Sequence, residues 1–246
     1  MDAMLPVKWC AALCYPSPTR GCCIKRLTEL RLLGVLELLE EGSARIGDAL
    51  VIGKGTSAIA IKAVYCDGSV VLAKVRRLDS RRDSLLGEAA ALAIANSVGV
   101  GPRLIACSRN VLVREYVKGV PFAEFALRNC GELLREVFTN LVLQLAALDS
   151  VGLVHNELAR FEDHVLVEES SLRPMIIDFE SATLNRSRSN VTQLLSFLMK
   201  KGGAAQTLRE CLGISLPAET LRGILREYKS ERNIGKLLVE LGLCAR

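Results

Sequence analysis

The sequence predicts an α+β protein in two parts: a small, mostly antiparallel β N-lobe with one helix, and a reduced helical C-lobe. Two hydrophobic periods predict it. Between Ala49 and Val75 apolar residues alternate in steps of two, as in half-buried strands, and beyond Lys118 they recur at helical spacing. The period changes at Lys118-Gly119-Val120-Pro121, where the glycine and the proline favour a break in regular secondary structure. Because 50% of the 246 residues are hydrophobic, each part can bury a core.

The first 47 residues precede the predicted sheet. Residues 1–24 contain Pro6, Pro16 and Pro18 and show no hydrophobic period, so we expect a poorly ordered lead-in. From Arg26 to Glu41 leucines recur at helical spacing, which predicts an N-terminal helical segment over 25–47.

Five strands and one helix are predicted for the N-lobe, residues 48–117. The turn Asp67-Gly68 is a strong hairpin signal between two of the strands. The helix carries Glu88 and ends before Gly99-Val100-Gly101-Pro102. The strands are expected over 50–52, 58–65, 69–75, 104–107 and 110–117, and the helix over 84–95.

The C-lobe, residues 118–246, begins with a long helix whose apolar face runs from Leu133 to Leu145. Two short apolar runs, 165–167 and 175–177, are bounded by polar turns and are predicted to pair as strands. Further helices are expected over 190–200, 203–211, 217–228 and 231–242.

Composition limits the class of protein. No window approaches the about 18 uninterrupted apolar residues of a membrane span, and the N-terminus lacks the apolar region of a signal peptide, so a cytoplasmic protein without membrane contact is expected. The net charge of +5 is mild but concentrated between Lys74 and Arg82. This run is either a solvated face or a surface for RNA or a ribonucleoprotein, formed by Arg76, Arg77, Arg81 and Arg82.

Nine cysteines are many for an intracellular chain. Cys10, Cys14, Cys22 and Cys23 cluster at a spacing unusual for zinc ligands, and disulfides there would fit a hyperthermophilic source. We expect the five scattered cysteines to be small core residues.

Acidic residues stand at the edges of the predicted strand pair. Glu157 follows Val154-His155-Asn156, and Asp178 follows the run 175–177. Such acids facing a cleft suit metal and phosphate chemistry, with Glu157 placed to accept a hydroxyl proton and Asp178 to coordinate magnesium.

Two upstream features suit phosphate binding. The stretch Gly53-Lys54-Gly55-Thr56-Ser57-Ala58 precedes a strand, which excludes a Walker or Rossmann loop and leaves either a plain hairpin or one whose backbone N–H groups cover phosphates. Lys74 lies inside a predicted strand, where a lysine needs water or a partner. Glu88, fourteen residues on, is its natural partner, and so paired the ammonium would bind α- and β-phosphate oxygens.

In their order along the chain, these residues resemble the motifs of protein kinases. Gly53-Lys54-Gly55 resembles the glycine loop, His155-Asn156-Glu157 the His-Arg-Asp motif and Asp178-Phe179-Glu180 the Asp-Phe-Gly motif. The resemblance covers about residues 48–200 and implies a bilobal protein-kinase-like fold. Within it, the run from Lys74 to Arg82, the Val-Gly-Val-Gly-Pro turn and Asp-Phe-Glu-Ser-Ala look like a family of small archaeal predicted Ser/Thr protein kinases, similar to RIO kinases and the KEOPS-complex kinase.

The resemblance implies ATP and Mg²⁺ as cofactors. It makes Glu157, Lys74 and Asp178 the catalytic residues, with Asp178 and a loop residue as metal ligands. It also implies nucleotide contacts from Gly53, Lys54, Gly55, Ala58, Lys74, Glu88 and the hinge residues Glu115 and Val117.

Several residues depart from the kinase pattern. Glu157 stands for the catalytic aspartate and is one methylene longer, and Asn156 replaces the arginine that serves a phosphate switch. Counting places the second metal ligand at Glu162, whereas strand register favours His164, with Asp163 also open. Only about a dozen residues separate Asp178 from the next helix, too few for an ordinary activation segment, and Glu180 replaces glycine and stiffens it.

Three functions compete. The first is an atypical ATP-dependent Ser/Thr protein kinase, acting on a protein acceptor or on itself. The second is an ATPase-like switch in a ribosome- or tRNA-modification-associated assembly. The third is a pseudokinase-like nucleotide-binding protein, against which the joint presence of Lys74, Glu88 and Asp178 argues.

Overall fold

The computed structural model describes residues 7–244, apart from the side chains of Val7, Glu162 and Ala218. The chain divides into two compact units. Unit 1 is formed by the chain up to Ala93 together with 103–116, and unit 2 by 94–102 together with the chain from Val117 onward. The first six residues of the expected lead-in lie outside the described residues.

Unit 1 contains an antiparallel sheet in the order β1-β5-β6-β8-β7, with β4 paired to β5 and a separate hairpin of β2 and β3. The predicted Asp67-Gly68 hairpin joins β5 to β6. The elements are a 3-10 turn at Val7–Trp9, α1 Cys10–Leu13, α2 Arg20–Leu32, β1 Val35–Leu39, β2 Ala44–Ile46, β3 Ala49–Val51, β4 Gly53–Lys54, β5 Ala58–Tyr65, β6 Val70–Arg76, α3 Leu86–Ser97, which continues into unit 2, β7 Leu104–Cys107 and β8 Val111–Glu115.

The predicted helical segment over 25–47 is wrong beyond Leu32. Gly34 has φ +86°, which ends the helix, and the chain then enters β1, antiparallel to β5. A short run rich in leucine fits a strand as well as a helix, so its spacing alone could not decide. The free edge of β5 decided it, because pairing there satisfies the backbone of both strands.

The expected poorly ordered lead-in is also wrong over residues 7–24. Cys10–Cys23 and Cys14–Cys22 form disulfides that tie α1 to α2, and Trp9 and Leu13 are buried in the core of unit 1. Each bond closes a short loop, which lowers the entropy of the unfolded chain and compensates for the missing hydrophobic period.

The five scattered cysteines are not small core residues. Cys130 and Cys211 form a third disulfide, within unit 2. Cys66, Cys107 and Cys244 are exposed free thiols.

Unit 2 is mainly helical around α5, whose predicted apolar face is buried from Leu134 to Leu145, whereas Leu133 is 38% exposed. The predicted strand pair is confirmed, because β11 pairs antiparallel with β12, and β9 joins on the other side. The elements are β9 Gly119–Pro121, α4 Phe122–Arg128, α5 Glu132–Ser150, β10 Leu153–Val154, a 3-10 turn at Leu158–Arg160, α6 Phe161–His164, β11 Val165–Glu168, β12 Pro174–Ile176, β13 Thr183–Leu184, α7 Asn190–Leu198, α8 Gly203–Leu212, α9 Ala218–Glu231 and α10 Ile234–Glu240.

No helix in the described part of the chain combines the length and apolar character needed to cross a bilayer.

Gly34 tests the junction of α2 and β1. A Cβ there would lie 2.6 Å from the Tyr65 ring, whereas Gly68, with φ +84°, has open space at its Cβ position. Replacing either glycine by alanine adds left-handed strain of about 1–2 kcal/mol. We expect G34A to lose clearly more unfolding free energy than G68A in urea titrations, because only G34A adds the clash. Equal losses would contradict this account of the junction.

Candidate active site

The predicted phosphate-covering hairpin is formed by β4 and β5 in unit 1. The Gly55 N–H donates to the Ala58 carbonyl at 2.9 Å, which closes the turn between the strands. At Gly53 an added Cβ would meet no atom within 4 Å, and φ is not in the left-handed region, so the fold itself does not require glycine there. A backbone left open in this way suits close approach by a ligand.

Tyr15 holds this hairpin, a contact that the sequence analysis missed. The Lys54 ammonium lies 2.6 Å from the Tyr15 hydroxyl and 4.1 Å from the ring centre. Arg77 lies over the same ring at 4.8 Å and donates to the Gly55 carbonyl at 2.7 Å. Because Tyr15 directly follows Cys14, the disulfide-braced N-terminus is fastened to the hairpin.

Lys74 and Glu88 form the predicted ion pair. Lys74 lies in the middle of β6, and its ammonium is 2.5 Å from Glu88 Oε1, with side chains 13% and 5% exposed. Glu88 Oε2 is buried and has no hydrogen-bond partner among the described residues. A buried ion pair contributes little net stability because both charges lose their hydration, so the fold alone gives little reason for this one.

The predicted hinge residues lie where the chain passes from unit 1 to unit 2. Glu115 ends β8, and its carboxylate accepts a hydrogen bond from the Arg103 N–H at 3.0 Å. Val117 is buried at the start of unit 2.

The basic residues predicted to bind RNA are partly used within unit 1. Arg76 donates to Asn110 Oδ1 and to the Arg82 carbonyl, and Arg77 is bound to Asp79 and the hairpin. Arg81 and Arg82 are exposed.

In unit 2, His155 joins the loop of Glu157 to the strand that leads to Asp178. The imidazole is fully buried, and burial lowers its pKa, so the ring is neutral. Its Nε2 lies 2.9 Å from the Ile177 carbonyl, which can only accept, so Nε2 carries the proton. Phe179 packs edge-on against the ring at 5.2 Å.

His164 contacts Glu157. Its Nε2 is 3.0 Å from Glu157 Oε2, and the side chains are 10% and 24% exposed. His164, predicted as a metal ligand, thus faces the predicted catalytic carboxylate, while its Nδ1 is buried without a hydrogen-bond partner among the described residues. Of the alternatives, Asp163 is exposed on α6, and the Glu162 side chain lies outside the described residues.

Asp178 and Glu180 form a carboxylate pair. One oxygen of each lies within 4.8 Å of the other, and Asp178 has φ +66°, a left-handed conformation that is uncommon outside glycine but that aspartate adopts more readily than most residues. Two acidic oxygens at this spacing fit a hard cation such as Mg²⁺, which prefers carboxylate ligands. Glu180 was predicted only to stiffen the loop; the signal for a second role was an acid two residues after Asp178.

Asn156 fastens the segment that follows Asp178. Its backbone is left-handed, with φ +69°, and its amide donates to the Ser181 carbonyl at 2.8 Å and to Thr183 Oγ1 at 2.9 Å. Arg188 donates to its Oδ1 at 2.9 Å. The asparagine that replaces arginine at this position therefore binds residues 181–188 through three hydrogen bonds.

Asn190, which sequence reasoning missed, supports the same loop. Its Oδ1 accepts from the His155 N–H at 2.9 Å, and its Nδ2 donates to the Leu153 carbonyl at 2.7 Å. The buried Asp149 carboxylate accepts from the Asn190 N–H at 2.6 Å and from Arg232 at 3.0 Å. Burial and Asp149 both raise the pKa of Tyr228, whose hydroxyl contacts the same carboxylate.

Tyr15 is testable by hydrogen exchange of the amides of residues 53–58. We expect Y15F to speed exchange and Y15A to speed it further, because the first loses only the hydroxyl contact and the second also loses the ring under Lys54 and Arg77. Y116F is the matched control, since it removes a phenol contact to Glu41 elsewhere in unit 1. Unchanged exchange in Y15A would contradict the tether.

Asn156 is testable in the same way over residues 181–188. N156G keeps the left-handed backbone and removes the amide contacts, each worth about 0.5–1.5 kcal/mol. We expect faster exchange across the segment, while N129A, which removes one asparagine contact on α4, leaves it unchanged. Wild-type protection in N156G would show that other contacts hold the segment.

Known proteins share both the sequence pattern and the fold. The family described as RIO domain matches residues 72–211, more than half of the chain. A solved structure, the autoinhibited serine kinase domain of the giant muscle protein titin, superposes with a TM-score of 0.55 at 12% identity, covering 84% of this chain and 80% of that one.

At that identity the similarity to titin shows the fold alone, and it confirms the predicted α+β, kinase-like architecture. No curated protein sequence matches the chain. The family match extends from β6, which carries Lys74, through the loop of Glu157 and Asp178 to the end of α8. The chain therefore belongs to the RIO domain family.

Proposed function

We propose that this chain is an atypical ATP-dependent protein kinase that transfers the γ-phosphoryl group to a serine or threonine hydroxyl of a protein, or to its own chain. The observation that carries the proposal is the buried ion pair between Lys74 of β6 and Glu88 of α3. Kinases use such a pair to present an ammonium to phosphate oxygens. The family and the fold support a kinase or ATPase-type enzyme.

Unit 1 would supply the phosphate-binding groups. Glu88 orients the Lys74 ammonium toward α- and β-phosphate oxygens, and the open backbone at Gly53 would let phosphate oxygens approach the hairpin closely. Lys54 would act from the hairpin, where Tyr15 now holds its ammonium. The predicted hinge contacts at Glu115 and Val117 remain part of this proposal.

Unit 2 would supply the acceptor side. The Glu157 carboxylate takes the proton of the attacking hydroxyl as the new oxygen–phosphorus bond forms and the bond to the β-phosphate oxygen breaks. His164, with its proton on Nε2, donates to Glu157 Oε2 and fixes the carboxylate. The extra methylene of glutamate makes such fixing important, because a displacement of an ångström costs rate.

Asp178 and Glu180 would hold Mg²⁺, with His164 or Asp163 as a further candidate ligand. When bound, the ion would neutralise charge on the β- and γ-phosphates. The residues fit this role because the two carboxylates already lie side by side.

An ATPase-like switch in a ribonucleoprotein assembly is the second candidate. The exposed Arg81 and Arg82 favour it, because an anionic partner needs exposed cations. In that case water would replace the acceptor hydroxyl, and the product would be free phosphate.

The test is transfer of labelled γ-phosphate from ATP with magnesium, with protein-bound and free phosphate resolved. We expect E157Q to lower protein labelling about 10²–10⁴-fold while ATP binding persists, as for a lost general base. K74A should weaken ATP binding itself. E169Q is the matched control, since it neutralises an exposed glutamate that pairs with Lys118 at the surface.

Three results would decide between the functions. Label on protein, lost in E157Q and in D178N, supports the kinase. Free phosphate with no labelled protein supports the switch. ATP binding without either product would overturn both and leave a nucleotide-binding protein without turnover.

A further inference from the structure

Unit 2 contains an apolar pocket of about 320 Å³ that the proposed chemistry does not use. It opens between α4, α7 and α8, and Phe161 of α6 forms part of its wall. Its volume lies at the small end of the range for ligand pockets.

The aromatic walls of the pocket are fixed. The Phe161 ring lies 5.3 Å from Phe122 and 5.0 Å from Phe197, both in edge-to-face geometry, and all three rings are buried. Cys211, which also lines the pocket, is bonded to Cys130. The pocket is therefore formed before any ligand arrives.

Leu127 stands at the mouth of the pocket and is 75% exposed. An exposed leucine beside an apolar pocket extends the surface that a bound apolar group can cover.

The pocket lies close to Glu157 along the chain. The Arg160 N–H donates to the Glu157 carbonyl at 2.9 Å, and Phe161 begins the next helical turn. Four residues in helical turns rise about 6–8 Å. An extended peptide advances about 3.3 Å per residue, so a side chain in the pocket would sit about two or three residues from a hydroxyl at Glu157.

The surroundings of the pocket are basic. Arg160, Lys200 and Lys201 are exposed. The Lys200 ammonium lies 4.9 Å over the Phe197 ring, which places a cation directly beside the pocket. On α4, Glu124 is neutralised by Arg128 at 2.7 Å.

The segment between Asp178 and α7 is also basic and is attached to the Glu157 loop, where Arg188 donates to Asn156 Oδ1 at 2.9 Å. It carries Arg186 and Arg188 and, from 181 to 189, no acidic residue. Of the described residues near the pocket, Asp163 on α6 and Glu210 on α8 are exposed acids, against the three exposed cations Arg160, Lys200 and Lys201, so the balance among these five residues is one positive charge.

We propose that this pocket binds a bulky apolar side chain of an acidic segment of the acceptor protein and so places a nearby serine or threonine hydroxyl at Glu157. The proposal rests on the kinase function above and names its substrate class. Apolar shape complementarity and positive charge together select the acidic segment. A nucleic acid fits less well, because the buried phenylalanines offer no exposed faces for base stacking.

The test measures binding of fluorescein-labelled peptides by anisotropy, without ATP. The probe has one serine, flanking glutamates and a leucine three residues from the serine. Two matched peptides carry alanine for the leucine, or lysines for the glutamates. We expect each change to weaken binding at least about tenfold, as for loss of an anchor side chain or of charge complementarity.

Variants of the protein locate the binding site. Ala204 lines the pocket from an exposed position on α8, so A204F fills the pocket without disturbing the core. Gln206, exposed on the same helix and outside the pocket lining, provides the control Q206F. R160E/K200E reverses charge near the pocket, and K229E on α9 is its control. T207W, at a second exposed lining position, is used if A204F does not fold.

The proposal predicts that A204F and R160E/K200E bind the peptide about tenfold more weakly than the wild type. The two controls, Q206F and K229E, should bind it as tightly as the wild type. Equal binding of all three peptides, or unchanged binding in A204F and T207W, would overturn it. So would a single-stranded RNA that displaces the peptide and whose binding depends on the charges but not on A204F. Because binding is read without ATP, an enzyme that transfers no phosphate can still bind the peptide through the pocket. If the protein transfers phosphate but binds all three peptides equally, the kinase function stands and only the proposal about the pocket is wrong.

Discussion

The buried carboxylate of Asp149 is the constraint on which the proposed acceptor side of the site depends. Asp149 lies in the last turn of α5, its side chain is 2% exposed, and it accepts hydrogen bonds from Ser189, Asn190 and Arg232. A buried carboxylate is costly unless several donors satisfy it, and here the donors come from the start of α7 and the end of α9. The start of α7 is thereby fixed against the end of α5, and Ser189 also caps α7 through the Thr192 N–H.

From this hub the positions of the proposed catalytic groups follow by short steps. Asn190 accepts a hydrogen bond from the His155 N–H and so fixes the His155 backbone. The neutral His155 ring in turn donates to the Ile177 carbonyl, directly before Asp178. Asn156 then attaches the segment after Asp178 to the same loop. Because each link is a hydrogen bond with a backbone group, the loop depends on the fold rather than on a modification. Asn156 stands where ordinary kinases have the arginine that binds a phosphorylated residue, and it makes these backbone contacts instead.

In unit 1, disulfides and the side chain of Tyr15 hold the N-terminal segment and the glycine hairpin in place. Its first helix, α1, has only four residues, and two disulfides join its two ends to α2, which lowers the entropy of the unfolded chain. Tyr15, next to Cys14, connects this braced segment to the glycine hairpin through Lys54 and Arg77. Of the basic run in the sequence, Arg76 and Arg77 make contacts within unit 1, whereas Arg81 and Arg82 are exposed.

The sequence by itself determined the two hydrophobic periods, the hairpin of β5 and β6, the strand pair of β11 and β12, and the Lys74–Glu88 partnership. All of these depend on local patterns or on charges in neighbouring elements. It also determined the order of the kinase-like motifs. Only the tertiary structure decided that 35–39 is a strand, because the free edge of β5 chose between two conformations that the leucines allow equally. It likewise decided that His164 faces Glu157, that Glu180 joins Asp178, and that Asn190 holds His155. These contacts join residues through packing and backbone geometry, and sequence spacing specifies neither.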